Sequence, residues 1–308
     1  MESRHVFVTG GTGAIGGYAV PALVDAGLTV SALARNAAKA DVLREQGAHP
    51  VVVSLFDLDG LTEAFRGCDA VVNLATSLPS PERFLMKSAW AECMRIRTQG
   101  SATVAGAAGH AGVPRLVQES IAMLYRGGDD WIDEESPVDH YDIAEASHVA
   151  EANARRFGQS HGSAVILRFG LFYGPGAAQS EQIMRTAQRH IGFSAGRPDS
   201  YVSSIHLSDA AQAVVAALDC PGGTYNIVDD EPVTARENVR AMADAVGSTT
   251  WLSVPGRIAL LLGDRAASMT HSLRVSNSRF RTTTDWRPRY PSVREGYPAM
   301  ADRLRAGQ

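Results

Sequence analysis

Val6-Phe7-Val8-Thr9-Gly10-Gly11-Thr12-Gly13-Ala14-Ile15-Gly16 decides the fold of this 308-residue chain. A short apolar strand runs directly into glycines spaced G-x-x-G-x-x-G, and a helical pattern follows to Ala26, stopped by Gly27. That order predicts a strand, a tight turn and a helix N-terminus open to an anion. Gly10 permits the turn. Gly13 lets the backbone approach a pyrophosphate without a Cβ in the way, and Gly16 lets the helix pack close to the sheet. The free amides and positive dipole end of the helix then face the phosphates. Pro21 falls inside this helix, where it removes a hydrogen bond and predicts a kink.

Outward from this stretch, strands and helices alternate. Strands are expected at Thr29–Ala34, Pro50–Leu55 and Ala70–Leu74, with helices at Ala37–Gln46 and Leu58–Phe65. Pro81–Gly109 holds one long helix or two. A fifth strand starts at Leu116–Gln118, a helix covers Ala144–His161, and a sixth strand covers Ala164–Leu167. The pattern predicts an α/β fold, a doubly wound parallel Rossmann sheet with a smaller mixed α/β substrate lobe. Ligand belongs beyond the carboxyl ends of the strands, which carry Gly10, Arg35, Asp57, Ala75, Ser120 and Phe169. After Tyr173-Gly174-Pro175 the pattern loosens, with a helix at Ser208–Leu218 and a strand at Tyr225–Val228. Residues 1–173 and 202–228 are expected to bind the dinucleotide, and 174–201 and 229–308 to form the substrate lobe.

The composition, 45% hydrophobic and 20% charged, is ordinary for a globular protein. A formal net charge of -4 gives no basic excess for nucleic acid. Cys68, Cys93 and Cys220 form no C-x-x-C, so neither a metal site nor a disulfide framework is expected, and buried small hydrophobes are the simpler reading. Met1–His5 leads straight into the first strand without an apolar signal core. Ile258–Leu262 is far too short for a membrane span. A cytoplasmic location without a membrane partner is the expectation.

Further stretches carry a family likeness. Thr9–Gly16, Asp57-Leu58, Asn73-Leu74-Ala75, Arg168-Phe169-Gly170-Leu171-Phe172-Tyr173-Gly174-Pro175, Ile205-His206-Leu207-Ser208-Asp209-Ala210-Ala211, Gly223-Thr224-Tyr225-Asn226-Ile227 and Trp286-Arg287-Pro288 span nearly the whole chain. Together they resemble the extended short-chain dehydrogenase/reductase family, in particular its epimerase/dehydratase-like branch. The resemblance implies that Thr12, Ala14 and Ile15 cradle the pyrophosphate with Gly10, Gly13 and Gly16. It implies that Asp57 bonds the adenine amine with Leu58 beside the ring, and that Leu74 and Ala75 line the adenosine and nicotinamide ribose path. Phe169 and Leu171 would flank the nicotinamide, and His206 and Asp209 would hold the two lobes together. Asp57 equally suits an N-cap for the helix that starts at Leu58.

By the same resemblance, NAD-preferring members end the second strand with Asp or Glu. Here that end reads Leu33-Ala34-Arg35-Asn36, with Lys39 one turn on. A guanidinium suits a 2′-phosphate, which an acid would repel, so NADP is expected as cofactor, with NAD the second choice.

The family works with a Ser, a Tyr and a Lys four residues after the Tyr; a neighbouring cation lowers the phenol pKa. This sequence departs from that pattern. Tyr141 is followed at i+4 by Glu145, and aligning on Glu151 instead gives Ile143 and Ser147. Lys87 is the last lysine in the chain. The family's hydroxyl position falls on Ile121, one residue after Ser120, and its Asn in the long fourth helix becomes Arg97 or Thr98. Tyr141, Glu145 and His148 share i, i+4, i+7 spacing, which predicts one helical face, with Glu145 orienting His148 and His148 or Tyr141 acting as general acid or base. Ser120 and Glu119 are further candidates.

These features point to an atypical oxidoreductase, or a redox-assisted isomerase or dehydratase, acting on a small organic substrate. Phe169-Gly170-Leu171 lacks the Asn frequent in sugar-nucleotide enzymes of this family. The alternative is a dinucleotide-sensing regulatory protein that has lost catalysis. Ala89–Ala108 and Ala144–His161 are the helices through which a homodimer would form.

Overall fold

The computed structural model describes residues 3–79, 83, 86–193, 197–249, 252–254 and 271–306. The first half alternates as its sequence predicts: β1 (His5–Thr9), α1 (Gly16–Asp25), β2 (Thr29–Ala34), α2 (Ala37–Glu45), β3 (His49–Val52), α3 (Leu58–Phe65) and β4 (Ala70–Asn73). A single 3₁₀ turn at Lys87–Trp90 then leads into α4 (Ala91–Arg95), a π-helical turn (Ile96–Gly100) and α5 (Ser101–His110). Next come β5 (Arg115–Ile121), β6 (Gly128–Ile132), α6 (Asp142–Ser160) and β7 (Ser163–Phe169). The remainder comprises β8 (Leu171–Tyr173), α7 (Ala178–Gln188), β9 (Ile191–Phe193), β10 (Tyr201–Val202), β11 (Ser204–His206), α8 (Leu207–Ala216) and β12 (Gly223–Ile227). It closes with β13 (Val233–Thr234), α9 (Ala235–Ala245), β14 (Leu252–Val254), β15 (Leu273–Val275), α10 (Ser278–Thr283) and α11 (Val293–Ala306).

Seven strands form one parallel sheet in the order β12-β7-β5-β4-β1-β2-β3. Each strand after the first is reached by a crossover, so helices cover both faces and the central strands read as apolar runs. One face packs Val6, Val8, Val72 and Val117 against α1 and α8; the other packs Phe7, Val71 and Leu116 against α3, α5 and α6. Phe7 and Phe65 meet edge to face at 4.8 Å on the second side. A separate core of Tyr173, Met184, Val233, Met242, Tyr297 and Met300 lies among α7, α9 and α11. The short pairs β10-β13, β11-β8, β14-β9 and β15-β6 frame that part of the chain. Cys68, Cys93 and Cys220 are free and buried.

Most boundaries shift by one or two residues; two shift by three, each for a local reason. The first helix begins at Gly16, not Gly13, because Gly13 N–H bonds the Gly10 carbonyl (2.9 Å) and keeps residues 10–15 in the turn. The third strand ends at Val52, because its partner β2 stops at Ala34 and the edge has nothing further to pair with. The helix then runs on through Pro21. Residues 81, 82, 84 and 85 of the expected long helix lie outside the described residues. From Ala91 to His110 that helix runs on through its π turn, led in by the 3₁₀ turn at Lys87–Trp90.

Candidate active site

The glycine turn sits at the carboxyl end of β1, where the strand order reverses between β1 and β4. This switch point is where open α/β sheets take their ligands. Gly10 has φ +74°, and a Cβ there would lie 2.5 Å from the Leu74 carbonyl oxygen. A Cβ on Gly16 would lie 2.1 Å from the Gly10 oxygen, so this glycine serves the turn itself more than the sheet. Gly13 and Ala14 are exposed at the tip of the turn, and α1 begins without a side-chain cap or an acid in its first turn. The turn therefore fits a pyrophosphate: it stands at the uncapped N-terminus of α1, and no carboxylate in the first turn competes for the anion.

A cleft of about 1440 Å³ extends from this turn across the carboxyl ends of the sheet. That exceeds the roughly 300–1,000 Å³ of an ordinary small-molecule pocket and leaves room for a dinucleotide and a second molecule. Gly10, Thr12, Gly13, Ala14, Ile15, Arg35, Asp57, Leu74, Ala75, Phe169 and Leu171 all line it. Gly16 and Leu58 are not among the described lining residues: Gly16 is buried under the turn, and Leu58 opens α3. Asp57 lines the cleft and caps α3 by accepting from the Gly60 amide (3.1 Å). Arg35 is exposed on the rim. The far end of the cleft is walled by Met123, Phe172, Ile183, Val202 and Leu273.

The four candidate catalytic side chains are not gathered at one point. Tyr141 lines the cleft and donates its hydroxyl to the Met123 carbonyl (2.5 Å). Ser120 is fully buried and donates to Glu151 (2.7 Å). Glu145 is exposed and bonds His140 (3.1 Å), with a His148 ring nitrogen within 4.8 Å. His148 bonds the Asp139 carbonyl (2.8 Å) and stacks on His140. Ser120, Glu145 and His148 are not among the described cleft-lining residues.

A different pair occupies the cleft wall. Arg97 rides on the π turn, a deformation frequent at functional sites, and its side chain is 4% exposed. It bonds Glu119 Oε1 at 2.6 Å and Ser147 Oγ, and both Arg97 and Glu119 line the cleft. Burial pushes the Glu119 carboxyl up; Arg97 pulls it back, but the net direction is upward. Behind this pair, Glu151 receives two hydrogen bonds of 2.8 Å from Arg168, together with Ser120 and Arg155. Burial pushes Glu151 up as well, yet Arg168 with Ser120 and Arg155 holds it below the usual carboxylate value. Arg168 also lies 4.8 Å over the Tyr125 ring, whose phenol burial pushes up to about 12. Tyr125 donates to Asn226 (2.7 Å), linking the turn after β5 to β12 beside Arg168 of β7.

The sequence profile of the NAD dependent epimerase/dehydratase family matches residues 6–227. The chain belongs to that family. A 3-diazoavenalumate denitrifying reductase from a Streptomyces species is 32% identical, over 95% of this chain and 98% of that protein. A 4-hydroxy-2-methyl-3-oxo-4-farnesyl-3,4-dihydroquinoline-1-oxide ketoreductase from Stigmatella aurantiaca is 27% identical, over 79% of this chain and 73% of its own. Among solved structures, the human epimerase family protein SDR39U1 with NADPH superposes with a TM-score of 0.83 at 22% identity, covering 97% of this chain and 99% of that one. At that identity the superposition speaks for the fold.

In the register aligned on Glu151, Ser147 stands where the resemblance places lysine, and the Arg97 guanidinium reaches Ser147 from the neighbouring helix. The sequence named Arg97 only as a substitute for Asn and Glu119 only as a strand-end acid. Their pairing was not readable because they meet across 22 residues through an irregular helical turn.

Proposed function

We propose that this chain is an NADP(H)-dependent oxidoreductase acting on a small, apolar organic substrate that is not a sugar nucleotide. The observation that carries the reading is the single cleft running from the glycine turn, past Arg35, to the wall of Met123, Phe172, Val202 and Leu273. Bound nicotinamide supplies hydride chemistry at an electrophilic centre, by net reduction or as part of an isomerisation or dehydration. The chain's own residues do the holding. Gly10, Thr12, Gly13, Ala14 and Ile15 take the pyrophosphate, and Asp57, Leu74 and Ala75 line the adenosine side. Arg35 offers a bidentate donor set to a 2′-phosphate, which favours NADP over NAD. Phe169 and Leu171 face the nicotinamide end. Of the proton-transfer candidates Ser120, Tyr141, Glu145 and His148, Tyr141 is the one with its side chain on the cleft.

Relatives named as reductases of a diazo compound and of a farnesylated quinoline oxide support an aromatic or lipophilic substrate. A second reading, a dinucleotide-sensing regulator without catalysis, is favoured by one observation: no lysine accompanies Tyr141. The test is NADPH fluorescence on mixing, followed by NADPH consumption with apolar ketones and arenediazonium salts. Binding with turnover of one of these supports the enzyme; binding with none supports the regulator; absence of binding overturns both.

A further inference from the structure

The Arg97–Glu119 pair has more polar capacity than its partners use. Both side chains are 4% exposed, and neither Arg97 Nε nor Glu119 Oε2 has a hydrogen-bond partner among the described residues. Apolar side chains of similar volume would fill this space at no loss of stability, and each orphaned atom adds its own desolvation cost. A pair retained under those conditions on a cleft wall fits a ligand that brings hydrogen-bond donors to the carboxylate.

The place of the pair identifies the donors. The glycine turn lies on β1 and Arg35 at the end of β2, on one side of the switch point. Glu119 lies near the end of β5, on the other side, with Ala75, Tyr141 and Phe169 on the same cleft. A dinucleotide laid across the switch point sets its second nucleoside on this side. That nucleoside carries a vicinal diol, and a carboxylate accepting from ribose hydroxyls is established chemistry at the first nucleoside of such sites. Each carboxylate oxygen accepts independently, so Oε2, which has no partner among the described residues, can take a hydroxyl while Oε1 stays on Arg97.

We propose that Glu119, positioned by Arg97, accepts the hydroxyls of the nicotinamide ribose. This inference rests on the dinucleotide reading above.

The test is calorimetric titration with two probes: NADPH, and adenosine 2′,5′-bisphosphate, which lacks the nicotinamide riboside. Glu119→Gln is expected to weaken NADPH binding about tenfold or more, as loss of a hydrogen bond to a charged group does, and to leave the bisphosphate within about twofold. The double variant R97M/E119L removes the whole pair without leaving a lone buried charge and should show the same selective loss. Equal NADPH affinity in wild type and variants overturns the inference, as does a loss shared by both probes. A wild-type chain that binds neither probe is a distinct result and overturns the dinucleotide reading itself.

Discussion

A Cβ on Gly16 would stand 2.1 Å from the Gly10 carbonyl oxygen and 2.6 Å from Gly11 Cα. Both obstacles are backbone, so no side chain can swing aside. Gly16→Ala is expected to cost about 1–3 kcal/mol, the range of overpacking, seen as a lower urea midpoint and weaker NADPH binding. Gly13→Ala is the control, since its Cβ would meet only the Gly10 oxygen at 3.2 Å, and it should lose less stability. Arg35 is tested differently. Losing a charged hydrogen bond costs about 1.5–3 kcal/mol, so Arg35→Ala should cut the preference for NADPH over NADH by about tenfold or more. An unchanged ratio in paired titrations contradicts its assignment. The glycines were legible because each answers to a local demand of the turn. Glu119 and Arg97 were not, because nothing local to either residue announces a partner on another element.

At the scale of elements, α6 brings Glu145 and His148 within 4.8 Å of each other and of His140, and leaves Tyr141 outside the helical repeat. Tyr141, Glu145 and His148 have helical spacing, but Tyr141 precedes the helix with extended backbone (φ -138°, ψ 157°). Its side chain is therefore not carried by the helical repeat, and His140 engages Glu145 from the preceding loop. The same helix carries Glu151, which joins β5 through Ser120 and β7 through Arg168. Glu151→Gln leaves Arg168 buried without its carboxylate and should cost about 3–5 kcal/mol in urea unfolding at neutral pH. The folded Glu151 pKa lies below the unfolded one, so its contribution is full above about pH 4.3 and is lost as pH falls through the folded value. The gap between wild type and variant should accordingly narrow in acid. The seven sheet strands and their helices were readable because apolar runs and glycine stops set them. The π turn was not, since one extra residue per turn leaves no mark in composition.

Across the whole molecule, the seam between sheet and second core is built from titratable groups. Trp286 Nε1 donates to the Asp209 carbonyl (3.0 Å), and the Tyr290 amide to the Asp209 side chain (3.0 Å). His206 rests against Tyr173 and Tyr290, and its burial, with Arg303 and Arg289, lowers its pKa to about 4. Asp229 is buried at the same seam, where burial and the Asp209 charge push its carboxyl well above the usual value. Its folded pKa is raised, so its contribution is best below about pH 3.9 and declines as pH rises towards the folded value. Asp229→Asn should therefore unfold at higher urea than wild type at neutral pH, with the difference shrinking towards pH 4. A variant less stable than wild type at neutral pH would contradict this. The Rossmann body was readable from strand–helix alternation, whereas this seam joins segments far apart in the chain and left only His206 and Asp209 as signs. Calorimetric titration of the purified chain with NADPH and NADH asks directly what the cleft holds: one site per chain is expected, with NADPH bound about tenfold or more tighter. Absence of binding by either, or tighter binding of NADH, would contradict that expectation.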